Sequence, residues 1–201
     1  MGDVVTPEVL DAELGEFAQQ IADQVETFLI ALRAIARGDV TDGHAISLLL
    51  LEVSQVLLAG ARLGVQSDFS PAEEYEPDAG PDPDLDDLRL RLARLLDAVD
   101  VYTEVFDPYD HPPELVSSSL SDDLTSIAAS LAHGLRHFKA GRVSEALWWW
   151  QFSYVATWGN EASAVLRALQ SVVAHDRLDA EFESEASDVE AAEEMLEASE
   201  V

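Results

Sequence analysis

The chain contains no cysteine, so disulfides and thiolate chemistry are both excluded. Cations are nearly as scarce. Against 40 acidic side chains there are 11 basic ones, and Lys139 is the only lysine among them. A formal charge of −29 speaks against direct binding to nucleic acid, where affinity comes from cations neutralising phosphates. Docking on an anionic membrane surface is disfavoured for the same reason. There is no basic n-region followed by an apolar stretch at the start, so no signal peptide is expected. The longest apolar run, 45–65, is interrupted by Glu52, Gln55 and Arg62, which favours a buried helix over a membrane span. A cytoplasmic chain is the expectation. The arginine bias, with abundant Ala, Leu and Asp, suggests a GC-rich genome.

The acids are unevenly spread. Residues 66–88 carry nine acids and no base, and residues 178–201 carry ten and no base, so 19 of the 29 excess charges lie in two short segments. The first segment contains Pro71, Pro77, Pro81 and Pro83. Proline blocks helix interiors and like charges repel, which predicts a disordered acidic linker. The second reads as a disordered, solvated tail or a docking tail for a basic partner. The expected organisation is one helical domain over 1–177, with the acidic, proline-rich loop 66–84 inside it, followed by the tail 178–201.

The rest reads as an all-α bundle of five to six helices. Apolar residues at 10, 14, 17, 21, 25, 28, 32 and 35 form one stripe, with Gly38 at its end. Thr41 or Asp42 can cap a second helix running to Leu63, apolar on nearly all sides and therefore expected at the centre. Leu85, Leu88, Leu92, Leu95, Val99, Tyr102 and Phe106 stand at heptad spacing and predict a third helix stopped by Pro108. Ser119 or Ser121 caps a fourth, which Gly141 ends. A fifth runs from Val143 to Trp158 and continues past a bend at Gly159. No stretch is read as a strand.

Three segments carry a family likeness: VYTEVFDPYD at 101–110, PPELVSSSLSDDL at 112–124 and GLRHFKAGRVSEALWWWQFSYVATWG at 134–159. Together they resemble the bacterial family catalogued as domain of unknown function 5063, found mainly in actinomycetes. The resemblance spans about residues 10–175. It implies a small helical protein with no assigned activity and no catalytic residues to carry over. It also implies a genomic setting near recombination genes, and with it a partner in DNA metabolism.

No catalytic motif, phosphate-binding glycine loop or dinucleotide fingerprint is present, so neither a catalytic residue nor a cofactor is assigned. His133 and His137 have the i, i+4 spacing of metal ligands but lack a third ligand nearby, so no metal is assigned. Asp107 and Asp110 flank Pro108 and Tyr109 in a loop and can bind a cation or simply terminate a helix and open a turn. Gly134 and Ala146 match one helical-hairpin repeat unit, whose small residues let two antiparallel helices approach. Trp148, Trp149 and Trp150 point about 100° apart on a helix, so all three cannot enter one core. Surplus Trp is a feature of binding hot spots.

The favoured reading is a non-enzymatic protein–protein interaction module, with Trp148, Trp149, Tyr109, Asp107 and Asp110 as the candidate surface. The alternative is an enzyme or a small-molecule- or metal-binding protein using a pocket between helices. Self-association through the heptad-spaced stripes is a third reading.

Overall fold

The computed structural model describes residues 7–40, 44–73, 77, 78, 80, 81 and 83–178. It holds six helices and one β-hairpin, in the order α1 Pro7–Arg37, α2 Ala45–Gly64, α3 Asp86–Leu95, β1 Val101–Val105, β2 Leu115–Ser119, α4 Leu120–Lys139 and α5 Val143–Ser153. After α5 the chain makes a π-helical turn, Tyr154–Trp158, and returns to α-helix over 159–178, here α6. The all-α reading holds, with the hairpin as its one departure among the described residues.

The α1 stripe works as the spacing requires. Ile21, Val25, Phe28, Leu32 and Ile35 are buried, and Gly38 closes the helix at φ +77°. The second helix differs from expectation. It buries Leu49, Val53, Val56 and Leu63 against its neighbours but leaves Leu51 and Leu58 exposed, so it flanks the bundle. It is the one described helix long and apolar enough to cross a membrane by length and composition. Its start falls at Ala45 after His44; Thr41 and Asp42 lie outside the described residues. The central position belongs to α4, which meets α1, α3, α5 and the hairpin.

The third helix stops early. Leu88 and Leu92 face the core as the heptad predicts, but the helix ends at Leu95 and the chain from Val101 is a strand. Val99, Val101, Thr103 and Val105 alternate, and their branched Cβ atoms favour a pleated chain. Asp100 also has a stronger use outside a helix. Its carboxylate accepts from the Ser121 N–H (2.8 Å), the Ser121 Oγ (2.9 Å) and the Ser119 Oγ (3.1 Å). That places an anion at the N-terminus of α4, where Ser119 is the N-cap.

The helical path from α5 through the π turn into α6 passes Gly159 without leaving helical conformation. Leu147, Trp150, Trp158, Ala162, Val165 and Leu169 are all buried. Trp150, Tyr154, Trp158 and Ala162 repeat every four residues, and each step of four overshoots a 3.6-residue turn by about 40°. The wider π turn absorbs that drift and keeps Trp158 and the first turns of α6 on the core side. Gly60 of α2 makes room for it: a Cβ there would meet the Tyr154 ring at 2.4 Å and Trp158 at 2.5 Å.

The proline-rich segment 66–84 forms no described helix or strand, and it is tied down at several points. Gln151, buried in α5, accepts from the Phe69 N–H (2.8 Å) and donates to the Leu63 carbonyl (3.0 Å). Buried Glu145 accepts from the Ala72 N–H (3.0 Å), and Arg142 donates to the Asp78 carbonyl (3.0 Å). The segment therefore straps α5 from outside. Residues 74–76, 79, 82 and 179–201, and with them nearly all of the expected tail, lie outside the described residues.

Candidate functional site

The hairpin stands on α4 and leans over α6. Strand register pairs Val101 with Ser119 and Val105 with Leu115. The Leu120 N–H donates to the Asp100 carbonyl (2.8 Å) and the Phe106 N–H to the Glu114 carbonyl (3.1 Å). Alternation along an antiparallel ladder then turns the amides of Tyr102 and Glu104 toward β2 and those of Val101, Thr103 and Val105 outward.

That outward edge lines a groove of about 820 Å³. Every residue of 101–106 contributes to its wall, and none of β2 does, so the groove runs along the free edge of β1. The opposite wall is one face of α6, including Asn160, Ala164, Arg167, Ala168 and His175. Small residues on that face keep the two walls apart. Val101, Val105 and Phe106 remain substantially exposed in it.

A carboxylate cluster joins the elements that build the groove. The Tyr102 hydroxyl donates to Asp123 Oδ2 (2.7 Å) on α4. Ser118 Oγ donates to Glu104 Oε1 (3.4 Å), and Ser126 Oγ donates to Glu161 Oε1 (3.0 Å) on α6. Burial raises the carboxyl pKa of Glu104, Asp123 and Glu161, and the Asp123 charge raises those of Glu104 and Glu161 further. The Tyr102 hydroxyl is also held well above its ordinary value, by burial first and by its bond to Asp123 second. Glu161 Oε2 is buried without a hydrogen-bond partner. Perturbed groups of this kind mark functional sites as well as structural networks. Among the described residues no group of three His, Asp or Glu is placed to hold a metal ion.

The residues singled out in the sequence fall in two separate places. Asp107, Tyr109 and Asp110 form the tip of the hairpin. The Asp107 carboxylate accepts from the Tyr109 N–H (2.8 Å), which makes it a turn-forming residue. Tyr109 is 88% exposed, and Asp110 is exposed as well. Trp148 and Trp149 lie on α5. Trp149 Nε1 donates to the Ser130 carbonyl (2.9 Å), and its ring lies 4.2 Å from that of His133. Trp148 stacks on Phe152 at 5.6 Å. No hydrogen bond or ring contact among the described residues joins the hairpin tip to the Trp pair. His133 and His137 meet edge to face at 5.2 Å, and His133 Nδ1 lies 2.8 Å from an Arg136 nitrogen. Tyr102, Glu104, Asp123, Glu161 and Arg167 were not singled out. The alternation of Val101, Thr103 and Val105 was the signal available for the strand.

No curated protein matches the chain. Among solved structures, the crystal structure of protein BF1032 from Bacteroides fragilis is similar, with a TM-score of 0.62 and 17% identity over 76% of this chain and 89% of that one. At that identity the likeness is one of fold alone. The family described as a domain of unknown function, DUF5063, matches residues 12–175, and the chain belongs to that family.

Proposed function

We propose that the chain is a protein–protein interaction module whose working surface is the groove between β1 and α6. The observation that carries this reading is the open strand edge along a groove of about 820 Å³ with exposed apolar residues on its rim. An unpaired edge is a template for another chain, and proteins without a use for one blunt it with charge or proline; the one charge in β1, Glu104, is hydrogen-bonded to Ser118. Val101, Thr103 and Val105 carry neither. The Tyr102–Asp123 and Ser126–Glu161 hydrogen bonds fix both walls to α4 from below. A protein of DNA metabolism fits as partner on charge grounds, since nucleic-acid-binding proteins are rich in cations and this chain is acidic.

A crosslinking pull-down from the native cytoplasm tests this reading. Ala168→Trp fills the groove from the α6 wall. A partner captured by the wild-type chain and lost with this variant is the expected result. Equal capture by both would place the working surface elsewhere, with the Trp148 and Phe152 face next in line.

The groove volume also falls in the range of small-molecule sites, roughly 300–1,000 Å³. Arg167, His175 and Tyr102 are polar groups on its walls. A metabolite that raises the melting temperature of the wild-type chain and not of Ala168→Trp would favour that second reading.

A further inference from the structure

We propose that a basic, extended segment of a partner protein adds to the outer edge of β1 as a third strand, under the wall formed by α6. This inference rests on the groove being the working surface.

Three observations converge on it. First, the ladder with β2 uses the inward amides, leaving the N–H and C=O groups of Val101, Thr103 and Val105 for another strand. No described residue donates to or accepts from them. Second, five residues of strand give a docking length of about 17 Å. Main-chain bonds along such an edge supply affinity, and alternate side chains supply specificity. Val101 and Val105 present apolar contacts at the two ends of β1, with Phe106 just beyond. A helix in the groove would leave the outward amides unsatisfied, so an extended chain fits better. Third, charge selects the partner. Glu104 faces the groove, and Asp107 follows the strand. Residues 101–119 carry Glu104, Asp107, Asp110 and Glu114 and no Lys or Arg. Arg167 and His175 stand on the opposite, α6 wall, so the partner's cations belong on the hairpin side. A segment with alternating apolar residues flanked by Lys and Arg complements these surroundings. A second copy of the chain, bringing another −29 charges, does not.

The test selects peptides from a random twelve-residue display library on the full-length protein, then titrates synthetic versions by fluorescence anisotropy. The expected winners carry alternating apolar residues and flanking Lys or Arg, and they weaken at least tenfold when the flanks are changed to Glu. Backbone amides of Val101, Thr103 and Val105 exchange more slowly with deuterium in the complex. Thr103→Pro removes an outward N–H and leaves the ladder to β2 intact, because proline is tolerated where the N–H faces away from a neighbour strand. It is expected to cost at least tenfold in binding, with circular dichroism and melting temperature checking the fold. Ala168→Trp, which leaves the strand untouched, is expected to do the same.

Winners blocked by Ala168→Trp but indifferent to Thr103→Pro, with unchanged amide exchange, would overturn strand addition and leave the groove reading standing. Winners indifferent to both variants, or no winners at all, would overturn both. Winners without flanking cations would overturn the charge assignment. A dimer in light scattering that Thr103→Pro dissolves would make a second copy the occupant and overturn the basic partner.

Discussion

Gly134→Ala tests the packing that holds α5 and its continuation in place. Gly134 lies inside α4, and a Cβ built there would meet Trp150 Nε1 at 2.3 Å and Cδ1 at 2.5 Å. The indole is fully buried, and its Nε1 donates to the Leu131 carbonyl at 3.0 Å. It cannot yield to the methyl group without moving the ring. Overpacking of this kind costs about 1–3 kcal/mol. A displaced ring also loses its bond to Leu131, and an orphaned buried N–H costs about 1–3 kcal/mol more. Against this, alanine gains about 1 kcal/mol over glycine inside a helix. The balance is a loss of about 3 kcal/mol, and at 2–4 °C per kcal/mol for a chain of this size the melting temperature falls by roughly 6–12 °C. Urea unfolding followed by circular dichroism and Trp fluorescence measures it. Adding Trp150→Phe should recover part of the loss, because the smaller ring removes Nε1, the atom nearest the added methyl group, so the pair should be clearly non-additive. A Gly134→Ala protein as stable as the wild type would refute the close approach of α4 and α5.

Other outcomes rest on the hydrogen bonds. Glu161→Gln keeps the acceptor for Ser126 and removes a half-buried charge, so it should stabilise the protein at neutral pH by about 1 kcal/mol after allowance for partial exposure. The pH dependence has a definite sign. Glu104, Asp123 and Glu161 have folded pKa values above their unfolded ones, so the folded state binds more protons. Their contribution is fully present below the unfolded values and is lost as pH rises through the raised ones. Melting curves on the wild type should therefore show stability falling from about pH 4 upward through this window, and more shallowly in Glu161→Gln; an equal slope in both would remove Glu161 from the account. Ser119→Ala removes the cap of α4 and a donor to Asp100, with an expected loss of about 1 kcal/mol in chemical denaturation. Gln151→Leu releases the strap at Phe69, so limited proteolysis should cut within 66–73 faster than in the wild type while the core melts as a unit.

Periodicity revealed what burial enforces. The α1 stripe, the Ser119 cap and the helix ends at Gly38 and Gly141 were legible because each depends on residues within one or two turns. The close helix approach through Gly134 was legible too, since a glycine inside an apolar helical stretch has few other uses. The hairpin was hidden by coincidence. Leu88 and Leu92 begin a true helical stripe, and Val99, Tyr102 and Phe106 extend it on paper. What overrides it is Asp100, whose three bonds reach residues 19–21 positions later. A local pattern cannot register that partner. The carboxylate cluster was hidden for the same reason: Glu104, Asp123 and Glu161 come from three distant segments. The exposed side of α2 shows the opposite limit, since an apolar face reveals hydrophobicity and not which neighbour covers it.

The hairpin is where structure and stability part company. No side chain between Asp97 and Ser119 is fully buried, and of these residues only Val99 and Tyr102 pack, partly buried, against the central core. Its attachment carries costs besides. Three carboxylates are gathered at its base with raised pKa values, one of them with a buried oxygen lacking a partner. Its outer edge leaves backbone groups unpaired beside exposed apolar side chains. Yet Asp100 and Tyr102 fix its position on α4 with short bonds (2.7–3.1 Å). An element that is held firmly, contributes little to the core and breaks the rules of charge burial and edge protection is where a functional site is expected. A flexible loop would satisfy the same helices at lower cost. What the rigid hairpin adds is a strand edge held opposite α6 across the groove, the placement that the proposed third strand would use.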